Sequence, residues 1–512
     1  MNAYIDILKK LTEKIPCSYI EQKLNLKDKV DTLKPSLKDI CFFDTGPKQS
    51  YGIAWIQLKD NSNTLFILPF KLSRHQRDTS IAFLNPWSLS DASNEAKFLE
   101  DWAKYHKKNN PITTYNNKFF LLKDHTFEPS IHSFSILDSP EYSYIRYDSQ
   151  EVTKIYKSLN VAESTQTEVE LLKFLSEEQS TFKNFPKLIK TFEYFTDQNH
   201  KHAVALTLKY IPNDSNLFQE VIRLAKHARY PENAYKDTEG YTWKQLLLLV
   251  EKIAKIMSDF HKCMLSPERG SVLSPVPPTS QSKDEWLELM SELIESKIAD
   301  IEGFDLGVYK PLVDLSKRLK NTLIKKISQN EDFVIRLRIH GDPHLGQMLI
   351  SHNDIYLLDF GSEKSSFILN SSNKQPCLFD VACFLLSLNY AWHTTEQESY
   401  TSIYNDIIDP KSIYGKMIKK YQKVFLEPEN YTPSLKKIIN SFMKTYSYNI
   451  LEDSKNTHLI PADLCQRSQI ISLCFLLKNL QEISLDLTNN LSRSKIWLRI
   501  LQDFIIEELE KD

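Results

Sequence analysis

The sequence predicts an α+β protein whose β-rich beginning gives way to a large helical remainder, and three observations carry that prediction. Strand-like and helical runs alternate up to Pro212. From residue 213 onward, apolar residues recur almost wholly with the 3.6-residue period of amphipathic helices. The exception lies between Ile335 and Asp359, and the 21 residues from Gly341 to Gly361 hold three of the chain's ten glycines. Ten glycines in 512 residues is far below the usual share of roughly 7%. Glycine is needed where backbone turns sharply or approaches a ligand closely, so this window is the first candidate for an active site.

The elements justify a division into three parts. Residues 1–132 combine a helix at Tyr4–Glu13, apolar strand-like runs at Tyr51–Leu58 and Thr64–Leu72, and a helix at Ala92–Tyr105, and read as a small α/β or β-rich leading domain. Residues 133–212 hold strands at Ser143–Tyr147, Glu151–Tyr156, Thr191–Tyr194 and His202–Lys209 around a helix at Thr167–Glu178, and close on the turn Pro212-Asn213-Asp214. Residues 213–512 carry helices at Trp243–Met264, Trp286–Ile301, Pro311–Ile327, Ser412–Phe425, Leu435–Glu452 and Ser468–Leu487. Short strands at Ile335–Ile339 and Ile355–Asp359 flank the glycine window. The Pro- and Ser-rich stretch Ser266–Lys283 reads as a long surface loop.

Composition excludes several classes. With 64 Lys and Arg against 66 Asp and Glu, the formal charge of −2 leaves no excess to neutralise a phosphate backbone, so nucleic acid is not expected as a partner. No apolar run approaches the roughly 20 residues that span a bilayer, and the first residues lack a signal-peptide pattern. A cytoplasmic protein without a membrane partner is expected. The seven cysteines are scattered and form no CxxC pair, which disfavours disulfides and structural zinc.

The chemistry concentrates in His340-Gly341-Asp342-Pro343-His344-Leu345-Gly346-Gln347-Met348-Leu349-Ile350, the polar turn Ser351-His352-Asn353-Asp354, and Ile355-Tyr356-Leu357-Leu358-Asp359-Phe360-Gly361. A strand, a polar loop, a turn and a second strand ending in Asp describe a hairpin with two carboxylates near one mouth. Phosphoryl transfer from ATP needs such a layout: one Asp orients the acceptor hydroxyl, and a second, with an amide oxygen, holds Mg²⁺. The spacing fits the kinase template HRD-x4-N then DFG, with Gly341 in place of Arg and Gln347 in place of Asn. Asp342 is then the catalytic base, and Gln347 and Asp359 are the metal ligands. His340 and His344 have no carboxylate at helical spacing and are read as loop-orienting groups rather than zinc ligands.

His340-Gly341-Asp342-x-His344-Leu345-Gly346-Gln347 followed by Asp359-Phe360 resembles the Brenner-type motif of the aminoglycoside phosphotransferase superfamily, and His-Leu-Gly-Gln is similar to its bacterial maltokinase branch. Gln375–Ala382 with Leu388–Ala391, Phe260-His261-Lys262, and Lys478-x3-Glu482-x3-Asp486-x2-Asn489 match in kind and order. The resemblance implies a protein-kinase-like two-lobed fold, with a small β-rich ATP lobe and a large helical lobe behind an N-terminal α/β cap domain. It also implies ATP and Mg²⁺ as cofactors and a phosphotransferase with an alcohol group as acceptor, by default forming maltose 1-phosphate. Association with enzymes of trehalose or glycogen metabolism would follow. Alternatives are the same fold acting on glucosamine or an aminoglycoside-like acceptor, and a pseudokinase that binds nucleotide without turnover.

Lys154, on the strand Val152–Tyr156, takes the place of the phosphate-binding lysine. In the resembling family the helix glutamate that fixes it aligns with Glu170; on spacing alone Glu168 is open as well. The strand Val204–Pro212 is the expected hinge, with Leu208 to Tyr210 along the adenine edge. His344 is placed among the substrate-binding residues. Lys478, Glu482 and Asp486 stand at i, i+4 and i+8, either as a solvated ion-pair ladder or, as the resemblance implies, as the wall of a sugar pocket. Several positions depart from the family. Gln481 and Leu485 replace its two tyrosine platforms, Ser139–Ser143 replaces its Gln-Ser-Asn turn, and Cys17–Lys29 replaces its glycine-rich leading motif.

Overall fold

The computed structural model describes residues 2–16, 19, 35–45, 49–58, 64–74, 82–84, 87–91, 112–113, 119–124, 134–138, 142–147, 151–156, 158–160, 167–177, 180–195, 201–212, 215–229, 241–267, 271–304, 310–330, 333–360, 374–404, 433–453 and 458–509. The chain divides into two compact units, 1–178 with 186–212, and 179–185 with 213–512.

In the first unit, α1 (Asn2–Thr12) precedes β1 (Pro35–Thr45), β2 (Gln49–Leu58), β3 (Thr64–Arg74), β4 (Ala82–Leu84) and β5 (Trp87–Asp91). These strands form an antiparallel sheet in the order β1-β2-β3-β5-β4. Leu8, Leu11 and Ile15, three and four residues apart, put one face of α1 and the turn after it into a core with Ile40, Ile56, Leu68, Phe70 and Leu89. A second sheet takes β6 (Ile112–Thr113), β7 (Phe119–Asp124), β8 (Phe134–Asp138), β9 (Tyr142–Tyr147), β10 (Glu151–Tyr156), β12 (Leu188–Phe195) and β13 (Lys201–Lys209). Its order is β6-β7-β12-β13-β10-β9-β8. β7, from before residue 132, pairs with β12, and β11 (Ser158–Asn160), from after it, pairs with β3 of the first sheet. Each sheet therefore draws on both segments. α2 (Thr167–Ser176) follows β11.

The second unit is helical: α3 (Leu217–Arg229), α4 (Tyr241–Cys263), α5 (Ser280–Glu302), α6 (Lys310–Ser328), α7 (Leu378–Tyr404), α8 (Pro433–Leu451), α9 (Leu464–Asn489) and α10 (Leu491–Leu509). α4 buries Leu246, Val250, Ile253, Met257, Phe260 and His261 on one face, against α8 and α3. α9 is enclosed by α5, α6, α7 and α10, so even Lys478, Gln481 and Ser484 are buried. Among the described residues no helix is long and apolar enough to cross a membrane.

The glycine window forms a hairpin from β16 (Met348–Ser351) and β17 (Asp354–Leu357), with β14 (Ser215–Asn216) on its outer edge. Its partner strand is not the expected Ile335–Ile339. That segment shortens to β15 (Arg336–Leu337) and pairs with β18 (Gln375–Pro376) and, through Arg336, with Val276. The same bridge ties down the stretch read as a free loop, whose last residues, Ser280–Lys283, already belong to α5. Thr279 caps that helix by accepting from the Ser282 N–H. The expected helices Ala92–Tyr105 and Ser412–Phe425 lie outside the described residues.

His352 and Asn353, the two residues that turn the hairpin, have φ of 47° and 63°. A two-residue hairpin loop with both central φ positive matches the twist of the strands it joins. Asn353→Val should therefore lose about 1–2 kcal/mol, the cost of forcing a side-chain-bearing residue into the left-handed region, whereas Asn353→Gly should stay within about 0.5 kcal/mol of the parent. Urea unfolding of the two variants checks the difference.

Candidate active site

The loop that enters the hairpin is held by Asp380, at the start of α7 and 1% exposed. Its Oδ2 accepts from the His340 N–H at 2.9 Å and its Oδ1 from the Gly341 N–H at 2.8 Å. His261 Nε2 lies 3.0 Å from the same Oδ2, and His261 Nδ1 lies 2.8 Å from the Tyr446 hydroxyl. Because a carboxylate only accepts, Nε2 carries the proton and Nδ1 accepts from Tyr446. Burial, reinforced by Cys377, pushes the Tyr446 hydroxyl well above its ordinary pKa, so it keeps the proton it donates. Gly341, at φ 94°, makes the bend that a residue with a Cβ would resist. Phe360 closes the far side, against Phe260, Phe185 and the His340 ring. Burial lowers the pKa of His340, so its neutral ring bonds the Leu358 carbonyl through Nε2.

This bend presents Asp342, whose side chain is 11% exposed. Lys478 Nζ of α9 stands 3.0 Å from Asp342 Oδ1 and 2.8 Å from Glu482 Oε1. The Asp342 contact is an ion pair without the angle of a good hydrogen bond, since Oδ1 has no aligned donor. Burial by itself would raise the Asp342 pKa, but the Lys478 charge outweighs it and holds the carboxyl below its ordinary range. Burial likewise opposes the charge on Lys478, and Asp342 and Glu482 more than offset it, leaving the ammonium well above its usual pKa. His344 Nδ1 accepts from the Gly346 N–H at 3.0 Å, and its Nε2 is 4.0 Å from Asp342. A Cβ on Gly346 would come within 2.8 Å of the His344 ring, which is why glycine sits there. His344 is thus placed first of all as a turn cap. Asp486 lies further along α9, where its Oδ2 takes the Trp497 indole N–H at 2.8 Å and Arg493 Nε at 3.1 Å. Burial raises its pKa, against the pull of these two partners.

Gln347 and Asp359 meet across the hairpin, with Gln347 Nε2 donating to Asp359 Oδ2 at 3.1 Å. Turning the Gln347 amide over would set two hard oxygens side by side, a donor pair suited to Mg²⁺. Asp359 has φ of 59°, a backbone state that a non-glycine residue adopts at a cost and that aims its side chain back at Gln347. Among the described residues no group of three His, Cys, Asp or Glu side chains could hold a metal, so a cation here would take its remaining ligands from phosphate and water.

In the first unit, Lys154 is 2% exposed on β10 and its Nζ donates to both oxygens of Glu168, at 2.9 and 3.0 Å. Tyr156 adds a third bond to Glu168 at 2.6 Å. The expected partner Glu170 does not reach the lysine: it is 38% exposed and pairs with Lys173 on its own helix. The phase of α2 explains the correction. Glu168 shares the buried face with Leu171, Leu172 and Leu175, at i+3, i+4 and i+7, and Glu170 falls off it. Leu208 lies near the end of β13, opposite both Val152 and Leu188; Lys209, opposite Glu151, is the last paired residue, and Tyr210 comes next. The sequence-based reading assigned no site role to Tyr156, His261, Asp380, Tyr446, Arg493 or Trp497, although it had singled out the blocks containing His261 and Asp380.

The elements described make a kinase-like α+β fold. No family model matches the chain, and no curated protein matches it. Among solved structures it is similar to glucosamine kinase in one crystal form, with a TM-score of 0.62 and 13% identity over 98% of this chain and 99% of that one. It is likewise similar to glucosamine kinase in complex with glucosamine, ADP and inorganic phosphate, with a TM-score of 0.60 and 13% identity over 98% of both chains. An ADP-bound aminoglycoside phosphotransferase aligns over 69% of this chain with a TM-score of 0.32. The near-complete coverage at 0.62 establishes the fold.

Two outcomes test the geometry. Breaking a buried ion pair by removing one charge costs about 3–5 kcal/mol, so Glu168→Gln should lower the unfolding free energy by that order while Glu170→Gln stays within about 0.5 kcal/mol. For the second pair, the depressed Asp342 stabilises the fold above the pKa of an unfolded Asp, about 3.9, and that contribution fades as pH falls through the folded value. Lys478→Met should therefore be destabilised most at neutral pH, with the gap to the parent narrowing below about pH 4. Urea midpoints at pH 7 and at about pH 3 read this directly.

Proposed function

We propose that the protein is an ATP-dependent phosphotransferase that moves the γ-phosphoryl group of ATP to a hydroxyl of a small acceptor, most naturally a sugar. The observation that carries this reading is Asp342. It is a buried carboxylate held ionised on a loop pinned by Asp380, in a chain that shares its fold with glucosamine kinase along nearly its whole length. Residues 1–132 are read as a cap domain ahead of the two kinase-like lobes, although β6 and β7 join the sheet of the small lobe and β11 joins the sheet of β3.

In the proposed reaction Asp342 accepts the hydrogen bond of the acceptor hydroxyl and takes its proton as the oxygen attacks the γ-phosphorus; the bond to the bridging oxygen breaks and ADP leaves. Lys478 pairs with Oδ1 of Asp342, which leaves Oδ2 to take the hydroxyl proton. Lys154, oriented by Glu168 and Tyr156, serves as the cation for the nucleotide phosphates, and the strand ending at Leu208–Tyr210 offers its backbone to the base. Gln347 and Asp359 would hold Mg²⁺, which supplies charge neutralisation on the phosphates. Glu482 and Asp486 are read as acceptor-side groups, with His344 shaping the loop beside them. The acceptor is maltose by resemblance of motif; the amino sugar bound in the glucosamine kinase complex is the other candidate.

Purified protein with radiolabelled ATP, Mg²⁺ and a panel of sugars and aminoglycosides should show transfer of label to at least one acceptor. Asp342→Asn should reduce kcat about 10²-fold or more, the scale of general-base catalysis, with nucleotide affinity within twofold of the parent. Label transfer at the parental rate in Asp342→Asn would remove this residue from the chemistry.

A further inference from the structure

We propose that Lys478 is a specificity-determining residue which fills the position of an acceptor ammonium group and so selects neutral polyhydroxyl acceptors over cationic amino sugars. The inference rests on the kinase reading above and sharpens it to a substrate class.

The geometry is as follows. An ammonium group arriving beside a catalytic carboxylate is held by that carboxylate and by a second one within reach. Here the two carboxylates are Asp342 and Glu482, and the space between them is taken by Lys478 Nζ, at 3.0 and 2.8 Å. The other carboxylate of the helix, Asp486, is taken by Arg493 and by the Trp497 indole. Every acid on this face of α9 thus has a cationic partner supplied by the chain itself. Lys478 is enclosed, with 11% of its side chain exposed, so its charge is weakly screened and opposes a second cation at short range. A neutral sugar meets no such opposition: its hydroxyls can accept from the ammonium and donate to Glu482 while one of them approaches Asp342. Burial of α9 by its four neighbours leaves Lys478 little freedom to swing out of the way.

The test compares glucose with glucosamine, which differ by a hydroxyl against an amine, in an ADP-release assay with the full chain, ATP and Mg²⁺. At pH 6.5 the parent protein should favour glucose by at least tenfold in kcat/KM. Raising the pH deprotonates the amine, so the glucosamine-to-glucose ratio should climb by about tenfold per pH unit up to the pKa of the amine, near that of an α-amino group at about 8, and then level off. Lys478→Met should raise that ratio at pH 6.5 at least tenfold, and Lys478→Arg should leave it within threefold. If the methionine variant does not fold, the pH series on the parent protein decides. A parent protein that prefers glucosamine at pH 6.5, or a ratio flat with pH, overturns the role of Lys478 and leaves the kinase reading standing. If no sugar or aminoglycoside raises ADP release above the rate of hydrolysis without acceptor, the kinase reading falls and this inference with it.

Discussion

The carboxyl group of Asp380 is the constraint on which the rest of the second unit depends. It accepts from two successive backbone amides, His340 and Gly341, and from His261, which is fixed in turn by Tyr446. Four segments, the loop, α7, α4 and α8, converge on one buried group. Backbone amides that bend away from a strand have no ladder partner, and in a dry interior each would cost free energy comparable to a lost hydrogen bond. Asp380 satisfies two of them at once, and that allows the chain to turn at Gly341 and point Asp342 away from the core. The position of the candidate base is thereby set by helix packing rather than by a mobile loop.

Around Asp342 two large effects oppose each other. Enclosure disfavours a charged carboxylate, and the Lys478 ammonium restores it. The outcome is an ionised base whose proton affinity is tied to a helix that also bears Glu482 and Asp486. On the other side of the hairpin, Asp359 is held in the left-handed region next to Gln347, so the two carboxylates of the motif are differentiated by surroundings, one paired with a lysine and the other with an amide. That difference suits one for taking a proton and the other for a hard cation.

Much of this was legible in the sequence because glycine is scarce and helical periodicity is strong. The helices from α4 to α9 that the periodicity marked begin and end within a few residues of their expected bounds, save α5, which begins six residues early, and the polar turn at Ser351–Asp354 is where the hairpin reverses. Two readings failed for identifiable reasons. The strand expected at Ile335–Ile339 pairs with Gln375–Pro376, a contact between segments almost forty residues apart that no local pattern encodes. The choice of Glu170 over Glu168 followed resemblance where the apolar phase of the helix already decided otherwise: Leu171, Leu172 and Leu175 fix the buried face, and Glu168 is the acid on it. The ring of partners around Asp380 was invisible because it joins residues separated by up to 185 positions.

The similarity to glucosamine kinase extends over almost all of both chains at 13% identity. Such a likeness is carried by backbone path, which depends on where apolar residues fall and not on which charges line one helix face. On the proposed reading those charges choose the acceptor. On α9, Lys478 stands between two acids, Asp486 is tied to Arg493 and Trp497, and the positions between them are Gln481 and Leu485. Tyr390 stacks on Trp497, with ring centroids 4.2 Å apart, and has Phe218 at 6.0 Å, so it is engaged within the protein. With these acids already paired, the proposed reading leaves recognition to hydrogen bonds that Lys478 donates and Glu482 accepts. These reward a hydroxyl that can both donate and accept, and an ammonium group can only donate.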